Sequence, residues 1–270
     1  MIRMGFFVAV ADRISRFMLL FFKKLLNQNT QHQDVVFVAG MQRSGTNMLM
    51  DTLERSFSTD VYHEWDERAF DNYQMRDRAT IQGLLKQSCG QQFVIKALCE
   101  LQDLTQLMTD FEDSKTLWIF RQYEDVVNSM IRSFGNMDAQ ILRLVDDPDA
   151  EAWLGKGMSD ETHAILKDLV KPNISIESAS ALQWYLRNVL FFEQCFDKNE
   201  RVLPVVYEKL VAQPEAEIER IFDFSNIKCS NRISRKIHSG SVGRRETAVV
   251  DEKIKELCLS LQSRIDGLLS

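Results

Sequence analysis

The strongest chemical signal in the chain is the run Gly40-Met41-Gln42-Arg43-Ser44-Gly45-Thr46-Asn47. It lies between an apolar stretch, Asp34 to Gly40, and an amphipathic stretch that begins at Thr46. That is the setting of a strand–loop–helix unit that cradles phosphate. Gly40 and Gly45 permit backbone angles that turn N–H groups inward. A helix starting near Thr46 offers unsatisfied N–H donors and a positive dipole end. Arg43 adds a delocalised cation, and the Ser44 and Thr46 hydroxyls complete the cage. A nucleoside triphosphatase loop keeps this spacing but needs a lysine where Thr46 stands, and Asn47 follows it. No strand ends in a magnesium-binding aspartate, so the lysine and metal of phosphoryl transfer are both missing. A second cation, Lys96, ends an apolar run, an expensive place for charge without an anionic partner.

Runs that are short, apolar and rich in β-branched or aromatic residues must position these groups. Residues 34–40, 93–97 and 115–121 read as buried strands. Residues 201–207 read as an edge strand, because Pro204 cannot donate to a ladder. Helical spacing is read over 46–57, from Asp103 as N-cap to 111, over 124–134, 178–196 and 214–224, and over 250–269. Residues 136–176 read as helical and loop material without strands, and 58–92 as a loop. Strands alternating with helices predict an α/β fold, a three-layer α/β/α domain around a central parallel sheet. Low glycine and proline (11 and 4) fit long helices.

Composition excludes several classes. Hydrophobic residues at 45% and charged residues at 27% exclude disorder and low complexity. A net charge of −6 argues against nucleic acid as a partner. Five cysteines with no Cys-x-x-Cys pair read as reduced thiols in a cytoplasmic protein. His32, His63, His163 and His238 show no metal-ligand spacing, so no metal is expected.

Gly-x-x-Arg-Ser-Gly-Thr after a buried strand resembles the 5′-phosphosulfate loop of the PAPS-dependent sulfotransferases. In that family a second strand ends in arginine and a serine follows eight positions later on a helix. Arg121 and Ser129, in Trp118-Ile-Phe-Arg-Gln-Tyr-Glu-Asp-Val-Val-Asn-Ser129, fit this pattern. Val206-Tyr-Glu-Lys-Leu210 with Pro214 is similar to the family's late Tyr-Glu-x-Leu element. The likeness covers about residues 35–245. It implies PAPS as sulfate donor, PAP as product and no metal, with the loop 40–47, Arg121 and Ser129 holding the nucleotide. It also implies that the basic loop 239–245 contributes Arg244 and Arg245.

Transfer of a sulfuryl group needs cations on the moving oxygens and a base for the acceptor. Arg43 and Lys96 are the cations the resemblance selects. The small-molecule branch places a catalytic histidine two positions after the strand lysine; here that position is Leu98. The tyrosylprotein and heparan-type branches instead use a glutamate base after the first helix, a place similar to Glu64 in Val61-Tyr-His-Glu-Trp65. Glu64 is the first candidate base and His63 the second. The tyrosylprotein branch has a basic residue where Asp66 stands. The acceptor, a hydroxyl or amine of a carbohydrate or lipid-linked molecule, has no readable code. Two other readings stand beside this one: a P-loop small-molecule kinase, and a non-catalytic, nucleotide-binding, membrane-associated adaptor.

Residues 1–30 form a segment apart from the domain at 31–270. Phe7, Val10, Ile14, Phe17, Phe21 and Leu25 recur at helical spacing, among Arg3, Arg13, Arg16, Lys23 and Lys24. Its uncharged runs fall far short of the ~20 residues of a spanning helix. Such a helix either packs on protein, in the domain or a homodimer interface, or lies through residues 1–28 as a peripheral element on an anionic membrane.

Overall fold

The computed structural model describes residues 33–228 and 248–268. The amphipathic segment 1–30 and the basic loop with Arg244 and Arg245 lie outside the described residues.

Valine, isoleucine and phenylalanine dominate the central strands because both faces of the sheet are covered. The strands are β1 (Asp34–Ala39), β2 (Thr59–Tyr62), β5 (Gln92–Ala97), β6 (Lys115–Phe120) and β7 (Val202–Val206). They form one parallel sheet in the order β2-β5-β1-β6-β7. Successive side chains point to opposite faces. Val35 and Phe37 of β1 therefore join one core cluster, while Val36 and Val38 join another.

The first cluster is closed by helices α4 (Tyr123–Ser133), α5 (Met137–Asp146), α7 (Ile176–Glu193) and α10 (Glu252–Gly267). The second is closed by α1 (Thr46–Glu54), α8 (Tyr207–Ala212) and α9 (Pro214–Phe224). The result is the expected three-layer α/β/α fold with a central parallel sheet. Helices α3 (Leu104–Asp110) and α6 (Asp160–Leu169) complete the segments after β5 and α5. As expected, β7 is an edge strand, with Pro204 opposite Trp118.

Three local expectations change. Residues 58–92 are not a loop: they hold β2, the short hairpin β3 (Phe70–Asp71) and β4 (Gln74–Met75), and helix α2 (Arg78–Gln87). Helix α1 stops at Glu54 rather than 57, and Thr59 fixes the exit by donating its hydroxyl to the Leu53 carbonyl at 2.7 Å. Asp103 is no side-chain cap: a 3-10 turn covers Leu101–Asp103, and the carboxylate accepts from Gln102 Nε2 at 2.8 Å.

The chain runs from β1 toward β2 and β5 before crossing to β6 and β7. The direction therefore reverses at β1, beside β6. Open α/β sheets bind ligands at such a point, beyond the carboxyl ends of the strands.

Candidate active site

The loop after β1 is built by close backbone approach. A Cβ on Gly40 (φ 143°) would stand 2.5 Å from the Ile119 carbonyl oxygen of β6. One on Gly45 (φ 99°) would stand 2.4 Å from the Tyr207 ring. Glycine is required at both places. Between them Arg43 is left-handed at φ 68°, a costly conformation for a residue with a Cβ. Ser44 is buried and its hydroxyl has no hydrogen-bond partner. A strained arginine and an orphaned hydroxyl in one turn fit a loop shaped for an anion.

The second motif meets the first. Arg43 Nε donates to Ser129 Oγ of α4 at 2.8 Å, and Arg121 Nη1 donates to the Arg43 carbonyl at 3.2 Å. Arg121, just past β6, lies 4.4 Å from the Tyr207 ring centroid and 3.4 Å from Asp125. The Trp184 indole N–H of α7 holds the Arg121 carbonyl at 2.9 Å. Tyr207, read in sequence as the end of the edge strand, opens α8 and packs on both Gly45 and Arg121. Nearby Glu208 accepts from the Gln122 amide at 3.1 Å, and burial raises its carboxyl pKa.

The third group is an ion pair. Lys96 near the end of β5 is 1% exposed. Its Nζ donates to Glu64 Oε1 at 2.7 Å and to Asn47 Oδ1 at 2.5 Å. Burial lowers the lysine pKa, and Glu64 opposes that shift without cancelling it. Glu64 is 13% exposed, and its Oε2 is buried with no partner. One carboxylate oxygen is therefore held by the cation while the other stays unengaged.

These groups share a cleft of about 360 Å³. Gln42, Arg43, Thr46, Asn47, Glu64 and Lys96 form its polar side. Asn72, Tyr73, Leu98, Cys99, Phe134 and Trp153 form the other, which carries no charge. Burial pushes the Cys99 thiol up to about 12, so it stays protonated near neutrality.

The sequence-predicted residues therefore fall into four sets. Gly40, Gln42, Arg43, Ser44, Gly45, Thr46 and Asn47 make one loop with Arg121 and Ser129 against it, and Lys96 and Glu64 adjoin it through the contact of Lys96 Nζ with Asn47 Oδ1. His63 is buried beside the cleft without lining it, its ring stacked on Trp65 at 4.2 Å. Arg244 and Arg245 fall outside the described residues. A further cation, Arg187 of α7, is buried under the apolar wall. It donates to the carbonyls of Leu98, Cys99 and Trp153 and to Gln102 Oε1. It fixes two segments of that wall to α7.

Comparison with known proteins adds an independent finding. A family model described as the sulfotransferase domain matches residues 33–242. The sulfotransferase domain from the curacin biosynthetic pathway superposes with a TM-score of 0.55 at 14% identity, covering 85% of this chain and 98% of that one. That likeness supports the fold. A sulfotransferase from Mycobacterium tuberculosis gives a TM-score of 0.49 at 12% identity, over 93% and 86% of the two chains. A mouse sulfotransferase complexed with PAP gives 0.42 at 16% identity, over 90% and 69%. No curated protein sequence matches the chain.

Proposed function

The chain belongs to the sulfotransferase domain family, and from that membership we propose that it transfers a sulfuryl group from PAPS to an acceptor hydroxyl or amine. The observation that carries this reading is the Lys96–Glu64 pair, 2.7 Å apart, lining one cleft with the phosphate-type loop and touching it at Asn47. Burying that charge is costly, and a place beside an anion-binding loop gives the cost a use.

Bound PAPS supplies the sulfuryl group, with PAP as the product. The chain's residues divide the remaining work. Loop 40–47 presents backbone N–H groups, the Ser44 hydroxyl and Arg43 to the 5′-phosphosulfate. Arg121 and Ser129 hold the 3′-phosphate, a cation and a helix-borne hydroxyl suited to a dianion. Lys96 and Arg43 offset the negative charge that moves toward the leaving phosphate. Glu64, which lines the cleft, accepts the acceptor's proton. Lys96 holds that carboxylate in place through Oε1. We assign the base to Glu64 rather than His63, because His63 does not line the cleft.

Glu64 as base, with Leu98 where the small-molecule branch has its histidine, supports a reading nearer the tyrosylprotein and heparan-type branches. Tyr73, Leu98, Phe134 and Trp153 form an uncharged wall that suits a ring, a sugar or an aromatic group, beside the reacting hydroxyl.

Calorimetry with PAP and transfer of labelled sulfate from PAPS to a panel of acceptors test the proposal. Binding of PAP at micromolar concentration with measurable transfer supports it. Binding without transfer to any acceptor would favour the adaptor. Absence of PAP binding, with a thermal shift in Mg-ATP, would favour the kinase and remove the proposal.

A further inference from the structure

His63 poses a problem that the cleft does not solve. Its side chain is 1% exposed, yet neither ring nitrogen has a hydrogen-bond partner. Buried polar groups in native proteins almost always have one, and an exception calls for an unplaced ligand or a function. Trp65 covers one face of the ring. On the side of Nε2 stand two carboxylates of α1, Glu54 Oε2 at 3.6 Å and Asp51 Oδ1 at 3.9 Å.

These distances are too long for hydrogen bonds, which close at about 2.7–3.2 Å. They are close to the spacing of ligands around an ion. Three donors bonded at about 2.0–2.2 Å in tetrahedral geometry stand roughly 3.3–3.6 Å apart. All three donor atoms lie within 4.8 Å of one another, so a contraction of a few tenths of an ångström to about one closes the set. Asp51 and Glu54 are three residues apart on one helix face, and His63 follows β2 directly. The Asp51 side chain is 57% exposed, which gives an ion an entry path and leaves its remaining positions to solvent.

We propose that Asp51, Glu54 and His63 form a divalent metal site, bound through the two carboxylates and Nε2. One imidazole with two carboxylates suits zinc and its first-row neighbours better than calcium or magnesium. The ion would tie α1, which begins at the phosphate-type loop, to the residue directly before Glu64. It would thus brace the segment that carries the base without entering the cleft. This site does not depend on the sulfotransferase reading, and its test uses no nucleotide.

The experiment is isothermal titration of Zn²⁺ into the full chain, stripped with EDTA, together with thermal unfolding. One equivalent should bind with a Kd of 10 μM or tighter. At a hundredfold excess over Kd the Tm should rise by roughly 5 °C or more. D51N changes an exposed group and should fold normally, yet weaken Zn²⁺ binding at least tenfold; H63Q should weaken it further. If the parent binds no Zn²⁺ below 100 μM, the site does not exist. If D51N binds the same equivalent with unchanged affinity, the ion sits elsewhere and the proposal is equally overturned.

Discussion

The Lys96–Glu64 pair can be separated into its cost and its use by a double-variant cycle. Lys96 is 1% exposed, and burial lowers its pKa even with the Glu64 carboxylate 2.7 Å away. The cation is therefore under-compensated in the free protein. Replacing a buried ion pair with neutral residues of similar volume is often neutral or stabilising by about 1–4 kcal/mol. Glu64 retains 13% exposure, so a gain of roughly 0–2 kcal/mol is expected for Lys96→Met/Glu64→Gln. Each single variant leaves one charge without its partner and should lose about 1–3 kcal/mol relative to the double. Activity should move the other way. Lys96→Met removes a cation from the transition state and should lower kcat by about 10²–10³. Glu64→Gln should lower it by about 10²–10⁴ while PAP affinity is largely kept. Urea unfolding with fitted m-values measures the first effect, and initial rates with calorimetry measure the second. A double variant more than about 2 kcal/mol less stable than the parent, at unchanged m, would mean that the pair is structural and the reasoning wrong.

Other expectations come from the same geometry. Because burial lowers the Lys96 pKa, kcat/KM for the donor should fall with rising pH below the ~10.4 of an ordinary lysine. The limb should move to higher pH in kcat, where a bound anion restores the cation; a limb at or above 10.4 in kcat/KM would refute the assignment. In stability the sign is opposite: the unfolded chain holds the lysine proton more tightly between the lowered pKa and the ordinary one. This lysine's contribution to unfolding free energy should therefore rise with pH across that window in urea titrations. Gly45→Ala would place a Cβ 2.4 Å from the Tyr207 ring at φ 99°, and should cost about 1–3 kcal/mol and PAP binding together. Unchanged affinity there would show that the loop does not hold the nucleotide. Ser129→Ala removes the 2.8 Å acceptor of Arg43 Nε and should weaken PAP binding by about tenfold. Calorimetry showing no change would detach Ser129 from the site.

The three central strands were legible because each is a short apolar run buried on both faces, and the loop because glycine, arginine and hydroxyl spacing is itself a local signal. Strand β2 was not. Thr59 and Asp60 open it with two polar side chains, and it sits at a sheet edge where composition is least constrained. The hairpin of β3 and β4 has two residues per strand, too few to show alternation. With β2 unread, the placement of His63 and Glu64 at its carboxyl end was hidden too. Glu64 was legible as a candidate base only through family resemblance, and its contact with Lys96 spans 32 residues that local pattern does not connect. The juxtaposition of His63 with Asp51 and Glu54 was hidden for the same reason: it exists only once β2 packs beside α1. Tyr207 reads in sequence as the last residue of the edge strand 201–207, whereas in the structure it opens α8 and its ring packs on the loop.

Two buried cations show how such a fold separates structure from chemistry. Arg187 is buried with burial lowering its pKa to about 10, yet its terminal nitrogens donate to four acceptors, and Trp153 lies against its guanidinium. Its charge is dispersed over carbonyls and a side-chain amide oxygen, and of its three nitrogens only Nε is buried without a partner. Lys96 shows the contrary pattern: its pKa is lowered by burial, with Asn47 and Glu64 as acceptors at the edge of a cleft. Around it converge a left-handed arginine, an orphaned Ser44 hydroxyl and a Glu64 oxygen without a partner. Each of these costs stability in the free protein, and they cluster at one loop. A doubly charged anion placed there would accept from the Ser44 hydroxyl and offset the Arg43 and Lys96 charges. That convergence is what preorganised electrostatic stabilisation requires. It also reconciles the site with a net charge of −6: the protein as a whole repels polyanions, while one cleft concentrates cations whose partners are incomplete.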